Sequence, residues 1–435
     1  MAIIKDGKLI HRKNYGYANL EHRVPVSDQS LFRLYSLSKP IVVVGVFSLI
    51  EKGKLSLEDK IGDYMAGLPE NWQDIQIKHL LSHSSGLPDM GQPYDEVKDL
   101  SEAAQKQRVF ALPLAFGPGE HYQYNQTNFW LLQRIIEKVS QTSLTDFITK
   151  NQFTPAKDTV FFSSDARDII PNRATPYYPF DKPGVLTITH PHYAGDYSYA
   201  MNGLHLSLND FIAWDKKFSQ QQLISQQSID KMWENFPFGD PREEFTYGWS
   251  SYNLNGHPSY GFSGSGSTIY RIFPEDNLSI IFLANGFSSW YNLSMMINCI
   301  AQLVEEDIFH AYSLFNEKLL SSLEEGGISE TRNSYQQLKM DSRYSSVARE
   351  SCLNDIGYWL LNRSEISKAI GIFQLNVEEH PTSWNVHDSL GEAYELNQQF
   401  EKALTHYQKA LQLNAENQDD HNTILKERIE RLKKK

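Results

Sequence analysis

The segment that most limits how this chain folds is Phe32-Arg33-Leu34-Tyr35-Ser36-Leu37-Ser38-Lys39-Pro40, followed by an apolar run from Ile41 to Ile50. Val42-Val43-Val44 alone would favour a strand, because β-branched side chains suit a pleated surface. The punctuation decides otherwise. Pro40 belongs near the first turn of a helix, where its missing N–H costs nothing, and Gly53 reads as the stop. About a dozen residues from Pro to Gly predict a buried helix. Ser36 then sits at its N-terminus, and Lys39, three residues on, lies on the same face. A hydroxyl, an amine and the positive end of a helix dipole meet there. Serine is a poor nucleophile until a base takes its proton, and a lysine desolvated by an apolar helix can lose its charge and serve. A helix cap followed by a solvated lysine has the same S-x-x-K spacing, so the surrounding chain has to arbitrate.

At 435 residues the chain exceeds one ordinary domain, and length predicts two or three. Its net charge of −12 argues against non-specific nucleic-acid binding and against an anionic membrane surface. No window of 18 or more apolar residues exists, so no membrane span is expected. Cys299 and Cys352 make neither a disulfide framework nor a metal spacing, and neither a metal nor a cofactor is expected. Met1-Ala2-Ile3-Ile4-Lys5 carries no signal-peptide pattern. The expected location is cytoplasmic for the chain as it stands, or periplasmic or secreted if an export segment has been removed.

Along the chain, Ile3-Ile4, Asp6-Gly7 and Leu9-Ile10 predict a hairpin, since Asp-Gly tolerates the positive φ of a type I′ turn. Residues 55 to 205 read as mostly helical with loops. One helix falls within Ile75 to Ser85, and another runs from Asn128 to Ser140 with apolar residues at helical spacing. Ser207-Leu208-Asn209-Asp210 opens a further helix as a capping box. Strand character returns at Tyr247 to Tyr252, Thr268 to Phe273 and Leu278 to Leu283. Strands at both ends of a helical middle imply one antiparallel sheet with helices on both faces, an α+β domain.

The words around Ser36 carry a resemblance. The Asp6-Gly7 hairpin, Gly16-Tyr17-Ala18-Asn19-Leu20-Glu21, the segment from Leu31 to Pro40, and Gly53-Lys54-Leu55-Ser56-Leu57-Glu58-Asp59-Lys60 resemble the serine β-lactamase and penicillin-binding-protein superfamily. They match its branch of class C β-lactamases, D-alanyl carboxypeptidases and esterases, over roughly residues 1 to 310. The resemblance implies a β-lactamase/transpeptidase-like antiparallel sheet flanked by helices, with a mostly helical insert. It also implies Ser36 as nucleophile and Lys39 as its base.

The family's second motif, Y-x-N, falls in Gly117 to Asn128, which puts its tyrosine at Tyr124 and its amide at Gln126, with Asn125 as a substitute. Tyr124 would shuttle a proton, and a neighbouring ammonium is expected to lower its pKa below the usual value of ~10. The third motif is K-T-G or H-x-G in relatives, but here it reads Phe262-Ser263-Gly264-Ser265. A phenyl ring neither donates a proton nor binds a carboxylate. Gly264 keeps the close backbone approach, and the N–H groups of Ser36 and Ser265 would form the oxyanion hole. Esterases of the superfamily often carry an aromatic residue there. His79 and His83 match a structural turn of the family rather than a metal site, and His190-Pro191-His192 reads as a loop near the cleft.

Past about residue 311 the character changes. Gly357, Ala369, Phe373 and Pro381 recur 34 residues later as Gly391, Ala403, Tyr407 and Ala415, resembling tetratricopeptide helix pairs. The expected domains are a hydrolase at 1–310, a helical connection at 311–345 and an all-α repeat module at 346–435. The repeats would bind a protein partner or pack within the molecule. The expected substrate is a small molecule or peptide. The first functional reading is an esterase-like serine hydrolase acting through an acyl-enzyme on small ester or amide substrates. A β-lactamase or D-alanyl-D-alanine carboxypeptidase is the second, and a weakly catalytic scaffold the third.

Overall fold

A computed structural model describes residues 1–91, 101–153, 159–178, 187–188, 194–286, 293–415 and 420–434. His190 and His192 lie outside the described residues. The chain divides into two compact units, Met1–Tyr177 with Ile188–Phe287, and Tyr178–Thr187 with Ser288–Lys435.

The first unit is built on a six-stranded antiparallel sheet. Its strands are β1 (Ala2–Lys5), β2 (Lys8–Arg12), β3 (Ser250–Leu254), β4 (His257–Gly264), β5 (Thr268–Phe273) and β6 (Leu278–Leu283), in the order β3-β4-β5-β6-β1-β2. Ala2 stands opposite Ile281, so both ends of the unit complete one sheet, as the strand pattern predicts. Asp6 and Gly7 both take positive φ in the β1–β2 turn. The late strands include one that the sequence pattern did not single out, β4, which carries the third motif.

Helix α1 (Ser38–Glu51) is the core of this unit, with every residue from Ser38 to Leu49 buried. Its β-branched run is helical because burying each such side chain yields roughly 1.5–3 kcal/mol, more than the small helix-propensity cost. Gly53 takes φ +64 and ends it. One expectation needs correcting. Ser36 lies in a separate 3-10 turn, Tyr35–Leu37, and α1 itself begins at Ser38. Tyr35 has φ +51, a left-handed conformation that costs a non-glycine residue about 1–2 kcal/mol. Helices α2 (Gln126–Ser140) and α3 (Leu208–Ser219) belong to the same unit. Tyr270 of β5 donates a 2.5 Å hydrogen bond to Asp215 of α3. The expected Ser207 cap is present, its hydroxyl accepting from the Asp210 N–H at 3.1 Å.

From Leu293 on, the described elements of the second unit are helices: α4 (Leu293–Val304), α5 (Ala311–Met340, kinked at Gly327), α6 (Glu350–Asn362), α7 (Ile366–Glu379), α8 (Trp384–Leu396), α9 (Phe400–Leu413) and α10 (Asp420–Leu432). The pairs α6/α7 and α8/α9 are the two repeats. A β-carbon on Gly357 would lie 2.4 Å from the Phe373 ring, and one on Gly391 would lie 2.7 Å from the Tyr407 ring. The same small-against-aromatic contact therefore recurs one repeat later. Among the described residues, no helix is long and apolar enough to cross a membrane.

Candidate active site

Three side chains converge on the strained turn before α1. The Tyr124 hydroxyl donates to Ser36 Oγ at 2.7 Å, and Lys39 Nζ lies 3.3 Å from the same oxygen. Lys39 also donates to the Met201 carbonyl at 2.6 Å. Ser36 is half-buried, whereas Lys39 is buried completely, with its Nζ 5.0 Å from the centre of the Tyr124 ring and 5.2 Å from that of Phe129. Burial brings the Lys39 pKa down to about 7, and the charge of Asp89 partly opposes the fall. A substantial fraction of Lys39 is therefore neutral near pH 7. One N–H is held by Met201, which leaves the lone pair available to Ser36.

The expected lowering of the Tyr124 pKa does not hold. Its pKa is pushed up to about 12, because burial disfavours the phenolate more than the hydrogen bonds shared with Ser36 and Gln126 favour it. Its nearest cation is itself close to neutral, so no fixed ammonium stabilises a phenolate. Tyr124 thus stands as a proton donor.

The two amide candidates have different surroundings. Asn125 caps α2, its Oδ1 accepting from the Thr127 N–H at 2.7 Å and its Nδ2 donating to the Leu87 carbonyl. Both ends of that buried side chain are engaged in holding the fold, so Asn125 does not substitute for the motif's amide. Gln126 opens α2 beside Tyr124, and its Oε1 is buried without a partner among the described residues. Its backbone N–H is held by Asp89 Oδ1 at 2.9 Å.

On the opposite wall β4 brings the third motif. A β-carbon on Gly264 would lie 1.9 Å from the Leu34 carbonyl oxygen, so only glycine lets the strand close on the turn that carries Ser36. Thr268 seals the same carbonyl with a 2.9 Å hydrogen bond. Ser263 and Ser265 are exposed, and Ser265 takes φ +47 immediately after the strand. Phe262 is 9% exposed, with its ring 6.2 Å from that of Tyr124 and 6.3 Å from that of Phe245.

The two nearest arginines in sequence do not replace the missing cation. Phe262 pairs across the ladder with Tyr270, whereas Arg271 pairs with Gly261 and so takes the other face of the sheet. There it is buried over the Tyr252 ring, 3.4 Å from its centre. Arg242 is exposed and paired with Asp240 at 2.5 Å.

Sequence reasoning missed two parts of this site, the Met201 carbonyl and Asp89. His79 and His83 do not converge, for each Nδ1 accepts from a different backbone N–H, that of Gln76 at 3.2 Å and that of Asn125 at 3.1 Å. Each ring thus holds backbone, in keeping with the structural turn expected of this phrase.

A family model described as Beta-lactamase matches residues 1–294, and one described as Tetratricopeptide repeat matches residues 384–417. A penicillin-binding protein of Bacillus subtilis is 37% identical over 156 residues, 34% of each chain. The match thus spans about a third of that relative. A putative penicillin-binding protein of the same organism, PbpX, is 26% identical over 315 residues, 70% of this chain and 74% of the other. The octameric penicillin-binding-protein homologue from Pyrococcus abyssi superposes with a TM-score of 0.61 at 27% identity, covering 74% of this chain and 77% of that one.

Proposed function

The chain belongs to the beta-lactamase family of serine hydrolases and carries tetratricopeptide repeats, and on that premise we propose that it hydrolyses small neutral esters through an acyl-enzyme at Ser36. The observation that carries this reading is Ser36 Oγ placed 2.7 Å from Tyr124 and 3.3 Å from Lys39, with Phe262 where a cation would recognise a carboxylate. Neutral Lys39 takes the Ser36 proton as Oγ attacks the ester carbonyl. The N–H groups of Ser36 and Ser265 receive the oxyanion. Tyr124 gives its proton to the departing alkoxide and regains one from the Lys39 ammonium. Water then attacks the acyl-enzyme, losing a proton to the same pair and restoring Ser36.

A β-lactamase or D-alanyl-D-alanine carboxypeptidase is the second reading, supported by the penicillin-binding relatives. The two part at Phe262. A charge-assisted hydrogen bond to a substrate carboxylate is worth ~1.5–3 kcal/mol, and a phenyl ring offers none. The test compares kcat/KM for nitrocefin and a neutral p-nitrophenyl ester in wild type and in Phe262→His. The ester is expected to be preferred by the wild type, with the gap narrowing about tenfold or more in the variant. A wild type that prefers nitrocefin, with no gain from Phe262→His, returns the β-lactamase reading to first place. A third reading, a scaffold whose repeats do the binding, is supported only by the repeat match and predicts no fluorophosphonate label at Ser36.

The hydrolase domain is proposed to span 1–310 and the repeat module 346–435, with 311–345 connecting them. The repeats offer a surface for a protein partner. Truncation after residue 310 with retention of ester hydrolysis is the result expected of that division.

A further inference from the structure

His83 is buried to 1% exposure between Tyr124, Phe129 and Phe245, with ring centres 4.7, 5.5 and 5.5 Å away. Its backbone carbonyl accepts from the Gln123 N–H at 2.8 Å, and its Nδ1 accepts from the Asn125 N–H at 3.1 Å. The two bonds grip the chain on either side of Tyr124. The Asn128 amide lies 3.2 Å from the same Nδ1. With an obligate backbone donor aimed at Nδ1, the neutral ring carries its proton on Nε2. Burial, and then the charge of Lys39, hold the His83 pKa well below its ordinary value, so Nδ1 stays an acceptor. His83 also takes φ +55, a conformation that places its carbonyl and its ring against one short segment.

We propose that His83 is a positioning residue for the reaction: its Nδ1 and carbonyl fix residues 123 to 125 so that the Tyr124 hydroxyl stands at Ser36 Oγ. It touches neither substrate nor the reacting atoms, and acts through Tyr124 alone. The inference rests on the proposed role of Tyr124, so its test must separate the two.

Two substitutions divide the side chain. His83→Phe keeps the ring and loses the Nδ1 acceptor. His83→Asn loses the ring, keeps an acceptor at about the same reach and tolerates positive φ. For a neutral p-nitrophenyl ester, His83→Phe is expected to lower kcat about 100-fold with KM within threefold, on the scale of removing one proton-transfer group. His83→Asn is expected to recover at least tenfold of that loss. In a Tyr124→Phe background, His83→Phe is expected to cost nothing further, which a merely structural role would not produce. Should His83→Phe not fold, His83→Gly, which also suits the positive φ, carries the same comparison.

A folded His83→Phe with wild-type kcat, beside an inactive Tyr124→Phe, overturns the inference and leaves the reading of the site intact. Multiplicative losses in the double variant overturn it as well. A fully active Tyr124→Phe removes both together.

Discussion

Glycine serves the two units in opposite ways. In the repeats, Gly357 faces Phe373 and Gly391 faces Tyr407, sixteen residues apart in each case, so both halves of the contact lie within one helix pair. In the hydrolase unit, Gly264 faces the Leu34 carbonyl, 230 positions away in the sequence. A local contact is rewarded as soon as two helices close, whereas a distant one needs the whole sheet in place first. Damage in the repeats should therefore reduce stability locally, and damage at the Ser36 turn should reach the chemistry.

Ser36→Ala carries the largest expected effect, a loss of ~10⁴-fold or more in ester turnover with no change in thermal unfolding. Near wild-type turnover in a folded variant would make Ser36 a mere turn residue. Gly264→Ala comes next. Its methyl cannot coexist with the Leu34 carbonyl, so β4 must retreat from the turn and take one proposed oxyanion donor with it. The expected loss in kcat is about 10²–10³-fold. A crystal structure of the variant with β4 unmoved, or unchanged kcat, would break the comparison at its root.

The third prediction concerns pH. A base must be neutral, and Lys39 loses its proton around pH 7, so kcat/KM should rise with pH through that region and fall about tenfold per unit below it. The charge of Asp89 raises the Lys39 pKa, so Asp89→Asn lowers it and moves the acidic limb to lower pH. Asparagine keeps the Oδ1 that accepts from the Gln126 and Gly91 N–H groups. A limb that stays in place, or moves upward, assigns it to another group.

The smallest effect on chemistry belongs to the repeats. Gly391→Ala presses a methyl into the Tyr407 ring and is expected to cost ~1–3 kcal/mol in the unfolding of the repeat unit. Ester kcat/KM should remain within twofold. A parallel loss of activity would mean that the two units do not separate damage as proposed.

How much of the site could be read from the sequence follows the same division. The Ser36-to-Gly53 segment, the Asp6-Gly7 hairpin and the strands from Thr268 to Leu283 announce themselves through local pattern and turn chemistry. So do the two helix pairs, because a repeat writes its contact twice. The roles of Asn125 and Gln126 were not separable, since a cap and a substrate amide are the same side chain until the helix start is seen. Neither was the protonation of Tyr124 legible, since it depends on how completely its surroundings exclude water.

The sequence by itself determined the family, the two kinds of architecture, the Ser36–Lys39 pair and the loss of a cation at Phe262. Those depend on which residue stands at which step along the chain. Only the tertiary structure decided that burial raises the Tyr124 pKa and lowers that of Lys39, that Arg271 takes the wrong face to replace a lysine, and that His83 accepts from the backbone beside Tyr124. Each of these turns on burial and on distances between segments far apart in sequence. Desolvation and hydrogen bonding act through space, and no local pattern encodes them.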